Sequence, residues 1–492
     1  MTLINVSHLT FAYEGSYDPI FEDVSFQMDT NWKLGFTGRN GRGKTTFLEL
    51  LLGKHVYSGQ ISADMEFEYF PFKVLHPEHH TLDVVTEIVP NVVQWELLRE
   101  LSLLQVGEDV LYRPYQSLSN GEQTKVMLAS LFLKENRFLL IDEPTNHLDL
   151  AGRELVSEYL NRKSGYILVS HDRSFLDRCV DHILSINKTD ITVQKGNFSD
   201  WWENKRRQDQ RELAENEVLR KDVKRLAEAA KRTGEWSQAV EKTKNGTRIS
   251  GVKADKGYVS HKAAKMMKRS KSLEQRQQSA IEHKSKLLKS VETSESLKIA
   301  QMPYHKTQLA ELGRVAIYYG QKQASPDISF SIQQGDRIAL TGKNGSGKSS
   351  ILKLICGEEL AYTGTLRIGS RLKISYVSQD TSYLQGNCSD YAREHGIDES
   401  LFKAILRKLD FSRIQFEKDM ADYSGGQKKK VLIARSLCEQ SHLLVWDEPL
   451  NFIDVISRMQ IENLLLEYAP TLLFVEHDRE FCEQIATKVI QL

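Results

Sequence analysis

Two stretches of this chain, TGRNGRGKTTFLELL and TGKNGSGKSSILKLI, share the spacing GxxxxGK[ST]. The first holds Gly38, Asn40, Gly41, Gly43, Lys44, Thr45 and Thr46; the second holds Gly342, Asn344, Gly345, Gly347, Lys348, Ser349 and Ser350. Glycines so placed let backbone N–H groups turn inward around phosphate oxygens, and the N-terminus of the following helix adds positive dipole. Lys44 and Lys348 then reach the β- and γ-phosphates, and the hydroxyls of Thr45 and Ser349 can hold Mg²⁺. Each stretch follows a strand-like apolar run, KLGF or RIAL, and opens a helix-like one, the context that this motif requires. Two nucleotide sites are predicted.

The elements that must complete such sites recur at almost one offset. Lys44 and Lys348 lie 304 residues apart, Asp142 of FLLIDEP and Asp447 of LLVWDEP 305, and His171 of ILVSHD and His477 of LFVEHD 306. The chain is therefore a duplication of one cassette. The apolar residues before each Asp read as a buried strand of a doubly wound α/β sheet, whose C-terminal end presents ligand groups. Asp142 and Asp447 can then reach Mg²⁺, with Glu143 and Glu448 placed to activate or orient water. Two further stretches, LSNGEQTKVMLA with Ser119, Gly121 and Glu122, and YSGGQKKKVLIA with Ser424, Gly425, Gly426 and Gln427, precede helix-like patterns and predict a second anion site in each half.

The order of P-loop, SGGQ-like motif, DEP and His resembles ATP-binding cassette (ABC) proteins over nearly all of both halves. The resemblance implies head-to-tail pairing, with each ATP clamped between one P-loop and the opposite SGGQ-like motif. Site one would then join Lys44, Asp142, Glu143 and His171 to Ser424, Gly425 and Gly426. Site two would join Lys348, Asp447, Glu448 and His477 to Ser119 and Gly121. It further implies adenine stacking on Tyr13 and Tyr319, and a Gln after the third strand that touches Mg²⁺ and water. Gln379 in ISYVSQD fits that last position, but the matching stretch FEYFPF offers Phe72, which can neither ligate a metal nor accept a water proton. Asn120 also replaces the first glycine of one SGGQ-like motif. Unequal sites are expected, site one being the slower.

Composition bounds the rest. A chain of 492 residues is too long for one core, and 40% hydrophobic with 27% charged residues is ordinary for a soluble protein. No run approaches a membrane span, and the start MTLINVSHLTFAYEG lacks a signal-peptide pattern, so a cytoplasmic location is expected. The five scattered cysteines have no CxxC spacing, and HPEHH, with His76, His79 and His80, reads as a Pro-flanked surface loop rather than a metal site.

About 100 residues lie between the halves beyond what two cassettes need. No proline occurs between Pro144 and Pro303, and residues 203–237 are rich in strong helix formers. Met266, Leu273, Ala280 and Leu287 fall seven apart on the return stretch, opposite Leu213, Val223, Leu226 and Ala230, which predicts an antiparallel helical hairpin turning near Gly246, Gly251 and Gly257. The chain is neutral overall, yet residues 203–290 hold 24 basic and 12 acidic side chains. At the tip, Lys242, Lys244, Arg248, Lys253, Lys256, Lys262, Lys265, Lys268, Arg269 and Lys271 face one acidic residue, Asp255. Such charge suits phosphate contacts, with Tyr258, His261, Met266 and Met267 available to lie against bases or apolar surface, so RNA is the expected target.

DEPTNHLDLAGRE, with Asn146, His147, Leu148 and Asp149, resembles the ABC-F class, in which two cassettes share one chain without membrane domains; DEPLNFIDV is looser. With NWKLGFTGRNGRGKTT, MMKRSK and WDEPLNFID, it is similar to the antibiotic-resistance branch of Lsa and Vga type. That resemblance implies ATP-dependent protection of the bacterial ribosome from lincosamides, streptogramin A and pleuromutilins, the linker tip entering beside P-site tRNA at the exit site and approaching the peptidyl-transferase centre within large-subunit rRNA. The protein would act as a monomer with intramolecular cassette pairing. Only 46 residues separate Phe72 from Ser119, leaving no obvious room for the extra arm of housekeeping members, and with 15 residues past His477 no C-terminal extension is expected. A housekeeping translation or assembly factor and an exporter ATPase subunit are the alternatives. The expected division is 1–199 and 303–492 as cassettes and 200–302 as linker.

Overall fold

The computed structural model describes residues 2–13, 19–146, 148–187, 190–243, 268, 276, 301–343 and 345–492. The chain separates into two units, Met1–Trp201 with Ser296–Leu492, and Trp202–Glu295. The first contains two cassettes of one design.

In the first cassette a six-stranded sheet runs in the order Glu66–Phe70, Arg137–Asp142, Tyr166–Val169, Lys33–Thr37, His182–Asn187, Asp190–Lys195. All neighbours are parallel except the last pair. The second cassette repeats it as Ile374–Val377, Leu443–Asp447, Leu472–Val475, Arg337–Thr341, Lys488–Gln491, all parallel. Strands buried on both faces must be apolar throughout, and Phe138–Ile141 and Leu443–Trp446 are wholly buried. An antiparallel sheet flanks each parallel one, built on Leu3–Phe11 and on Gln308–Tyr319.

Register fixes the correspondence between halves. Phe70 pairs with Ile141 just before Asp142, and Val377 pairs with Trp446 just before Asp447. Phe72 and Gln379, two residues on, therefore occupy equivalent positions.

Four helices in pairs aim at the strand ends. Lys44–Leu51 and Lys348–Ile355 begin after Gly43 and Gly347, at φ 92° and 88°. A Cβ on Gly347 would lie 2.4 Å from the Ala324 carbonyl oxygen, so glycine is required there on two counts. Asn120–Phe132 and Gly425–Cys438 start at Ser119 and Ser424, each a reciprocal capping box.

The second unit contains most of a helix spanning Phe198–Thr243, 46 residues, about 69 Å at ~1.5 Å per residue. It begins inside GNFSDWW, earlier than the helix-former run at 203, because Asn197 and Asp200 cap each other's backbone N–H at 2.9 and 3.3 Å. Lys242 lies on its last turn, and Lys268 and Arg276 are helical and exposed. Lys244, Arg248, Lys253, Lys256, Tyr258, Lys262, Lys265, Met266, Met267, Arg269 and Lys271, with the predicted turn and return helix, fall outside the described residues. No helix among the described residues is long and apolar enough to cross a membrane, and all five cysteines are free.

Candidate active sites at the cassette interface

Both P-loops fold in the same way around their lysines. Lys44 Nζ donates to the carbonyls of Gly38 (2.7 Å) and Arg39 (3.2 Å), and Lys348 Nζ to those of Gly342 and Lys343, both at 2.9 Å. Burial lowers the pKa of each ammonium, neighbouring carboxylates opposing it. Tyr13 hydrogen-bonds Thr46 at 2.9 Å and Tyr319 hydrogen-bonds Ser350 at 3.1 Å, leaving half-exposed rings beside the P-loop helices. A cavity of about 740 Å³ opens in the first cassette, lined by Tyr13, Gly41, Gly43, Lys44, Thr45 and the acidic pair Asp142 and Glu143, among others. Asn344 is outside the described residues.

At the second site the polar side chains are tied to one another. Ser349 Oγ donates to Asp447 Oδ1 at 3.1 Å, and Gln379 Nε2 to Glu448 Oε2 at 2.8 Å. Asn451 adds a bond to the same Oε2 at 2.6 Å, and His477 Nε2 stands 3.6 Å from Oε1. A hydroxyl, a carboxylate and an amide oxygen form the hard oxygen set that suits Mg²⁺, and the glycine cradle beside Lys348 suits a triphosphate.

The first site matches the second at the aspartate and differs around the glutamate. Asp142 accepts from Tyr69 at 2.9 Å, as Asp447 accepts from the equivalent Tyr376, but Phe72, at the position of Gln379, is not among the residues lining the cavity. Glu143 Oε1 is buried without a hydrogen-bond partner, although His171 Nε2 lies 3.3 Å away. Both glutamates sit in left-handed backbone, at φ 51° for Glu143 and 45° for Glu448, strain that a site must hold in place.

The electrostatics diverge accordingly. Burial, reinforced by Asp142, pushes the Glu143 carboxyl up to about 8. At Glu448 burial acts the same way but is outweighed by the neighbouring His477, with Asn451 and Lys429 adding to it, so its pKa falls below the usual value. His171 is held neutral, well below its usual pKa, by burial and by Lys44.

The cassettes face each other head to tail. Asn40 of the first P-loop donates to the Phe452 carbonyl at 2.8 Å, and a Cβ on Gly426 would lie 2.9 Å from Asn40 Nδ2 and 2.2 Å from that same carbonyl oxygen. Site one thus meets Gly426 across the interface, whereas the cavity itself is lined by the first cassette alone. Reciprocally, Asp454 acts on Lys44 and Asp149 on Lys348. Arg39 pairs with Asp410 at 2.5 Å, and Arg153 Nη1 donates to the His477 carbonyl at 3.1 Å.

Glu122 and Gln427, expected at the nucleotide, turn back on their own helix ends: Glu122 Oε2 accepts from the Ser119 N–H and hydroxyl, both 2.8 Å, and Gln427 Oε1 from the Ser424 N–H at 3.0 Å. The HPEHH loop is exposed, with ligand atoms of His76, Glu78 and His79 within 4.8 Å of one another. Sequence reading missed Tyr69, which binds Asp142, and the interface arginines Arg153 and Arg458; the 305-residue offset between those two was the available signal.

The ABC transporter family model matches residues 21–146 and 326–451. The chain therefore belongs to the ABC family of ATP-binding proteins and, within it, to the two-cassette ABC-F class, and it is an ATPase. It is 29% identical over 493 residues to the ribosome protection protein VmlR of Bacillus subtilis (strain 168), covering 98% of this chain and 85% of that one. To the energy-dependent translational throttle protein EttA of Escherichia coli (strain K12) it is 26% identical, covering 96% and 89%. Its fold matches an archaeal ribosome recycling factor crystallised with a ribosomal stalk protein, at TM-score 0.64 and 17% identity, over 98% and 87% of the two chains.

Proposed function

We propose that this chain is an ATP-driven ribosome protection protein. Whole-length similarity to VmlR carries the reading; a basic segment of 24 Lys and Arg against 12 acidic residues between the cassettes supports it. ATP bound at both interfaces favours the closed pair, the linker tip meets large-subunit rRNA near the peptidyl-transferase centre, and lincosamides, streptogramin A and pleuromutilins lose their hold.

In this reading Lys44 and Lys348 bind phosphate oxygens, Tyr13 and Tyr319 receive adenine, and Ser119, Gly121, Ser424, Gly425 and Gly426 close each site from across the interface. Thr45 and Asp142 at site one, and Ser349, Asp447 and Gln379 at site two, would hold Mg²⁺, which supplies charge neutralisation when bound. Glu448 orients the attacking water, with His477 beside it; Glu143 and His171 are their less prepared counterparts.

The test is a membrane-free bacterial translation reaction stalled by lincomycin or by tiamulin, supplemented with purified protein. Recovery of synthesis is expected, and export cannot produce it. No recovery with either drug, from protein that hydrolyses ATP, would favour a factor acting on undrugged ribosomes, a reading to which similarity to EttA gives some support.

A further inference from the structure

One buried cation in the second cassette has no counterpart in the first. Lys429, on the second turn of the helix Gly425–Cys438, is 1% exposed and carries no salt bridge. Its ammonium donates to the carbonyls of Ser378 at 2.9 Å, Glu448 at 3.0 Å and Asp447 at 3.4 Å, so all three N–H donors are used. A buried ammonium is costly unless its bonds are complete, and here they tie the helix to two other segments, at Ser378 and at Asp447–Glu448.

Those segments matter because of what they hold. Ser378 precedes Gln379, and the Gln379–Glu448 bond of 2.8 Å sets the carboxylate. Glu448 itself sits at φ 45°, a conformation costing on the order of 1–3 kcal/mol that its surroundings must maintain. The equivalent of Lys429 in the first cassette is Thr124, whose hydroxyl donates to Asn120 on its own helix at 2.9 Å. There the same four positions, Thr124, Pro71, Asp142 and Glu143, line the open cavity instead of being tied together.

We propose that Lys429 is a positioning residue for hydrolysis at the second site, fixing the backbones of Ser378 and Glu448 so that Gln379 holds the Glu448 carboxylate ready for water. The inference rests on Glu448 being the group that activates water.

The experiment measures kcat and KM for ATP in protein carrying Glu143→Gln, with Lys429→Met, Lys429→Thr or Glu448→Gln added. Both Lys429 variants are expected to lose kcat about tenfold with KM changed less than about twofold, because the P-loop and Tyr319 are untouched. If kcat stays within twofold, or KM rises in step with the loss, Lys429 does not position the site. Retained activity in Glu448→Gln would instead overturn the role of Glu448. A reciprocal arm covers variants that fail to fold: in protein carrying Glu448→Gln, Phe72→Gln with Thr124→Lys is expected to hydrolyse severalfold faster than Phe72→Gln alone. No added gain would contradict the proposal.

Discussion

The two nucleotide sites share one scaffold and differ in what surrounds the glutamate at the strand end. Glu448 accepts from Gln379 and Asn451 and is ionised at neutral pH; Glu143 has an unpartnered Oε1 and a pKa of about 8, so it is mostly protonated at pH 7, while each has a histidine beside it. Desolvation acts on both. What separates them is whether donors accompany the burial, and one substitution at the position of Phe72 and Gln379 removes one of these. A duplicated cassette can thus keep its nucleotide-binding parts in both halves while its water-activating parts diverge.

The interface shows the same divergence, and it offers the largest measurable break. Arg173 is buried against Glu462, with Glu480 at 2.9 Å, whereas Arg479 meets Glu154 at 3.3 Å on an exposed rim. Arg173→Ala, which strands a buried carboxylate, is expected to cost about 3–5 kcal/mol of unfolding free energy, while Arg479→Ala should leave the denaturation midpoint unmoved. Chemical denaturation of both variants checks this; equal losses would show that burial does not distinguish the two contacts.

Supplying site one with its missing amide is the next effect in size. In a Glu448→Gln background, Phe72→Gln is expected to raise the single-turnover rate roughly tenfold, the worth of one hydrogen bond to a charged group. A rate no higher than the background would place the defect elsewhere. The smallest effect concerns pH. The Glu143 carboxyl loses its proton as pH rises through about 8, so the site-one rate should climb severalfold from pH 7 to 9. Glu448, held below the usual carboxylate range, is already ionised, and the site-two rate should stay level. Parallel profiles in the two single-site proteins would remove protonation as a cause of the difference.

Much of this was legible in the sequence because the phosphate-binding loop is local: glycine spacing, lysine and hydroxyl lie within nine consecutive residues, and strand runs such as FLLI announce burial by themselves. Phe72 could also be aligned with Gln379 by counting from the strands, and the sheet register gives the same correspondence. What counting could not supply was how side chains are used once packed. Glu122 and Gln427 fit a nucleotide motif, yet they cap their own helices, since a carboxylate or amide three residues after a serine finds free backbone N–H groups nearby. Lys429 and Thr124 look like interchangeable residues on a polar helix face; only the distance to three carbonyls on two other segments sets the lysine apart. Contacts between cassettes, such as Asn40 with Phe452, join residues over 400 positions apart and leave no local trace.

With Glu448 prepared and Glu143 not, turnover is expected to belong chiefly to the second site. Steady-state and single-turnover ATP hydrolysis by Glu143→Gln and Glu448→Gln proteins, side by side, tests it most directly. Glu448→Gln is expected to slow hydrolysis by about two orders of magnitude or more, with Glu143→Gln remaining within severalfold of the parent. Equal residual rates in the two variants would contradict the account.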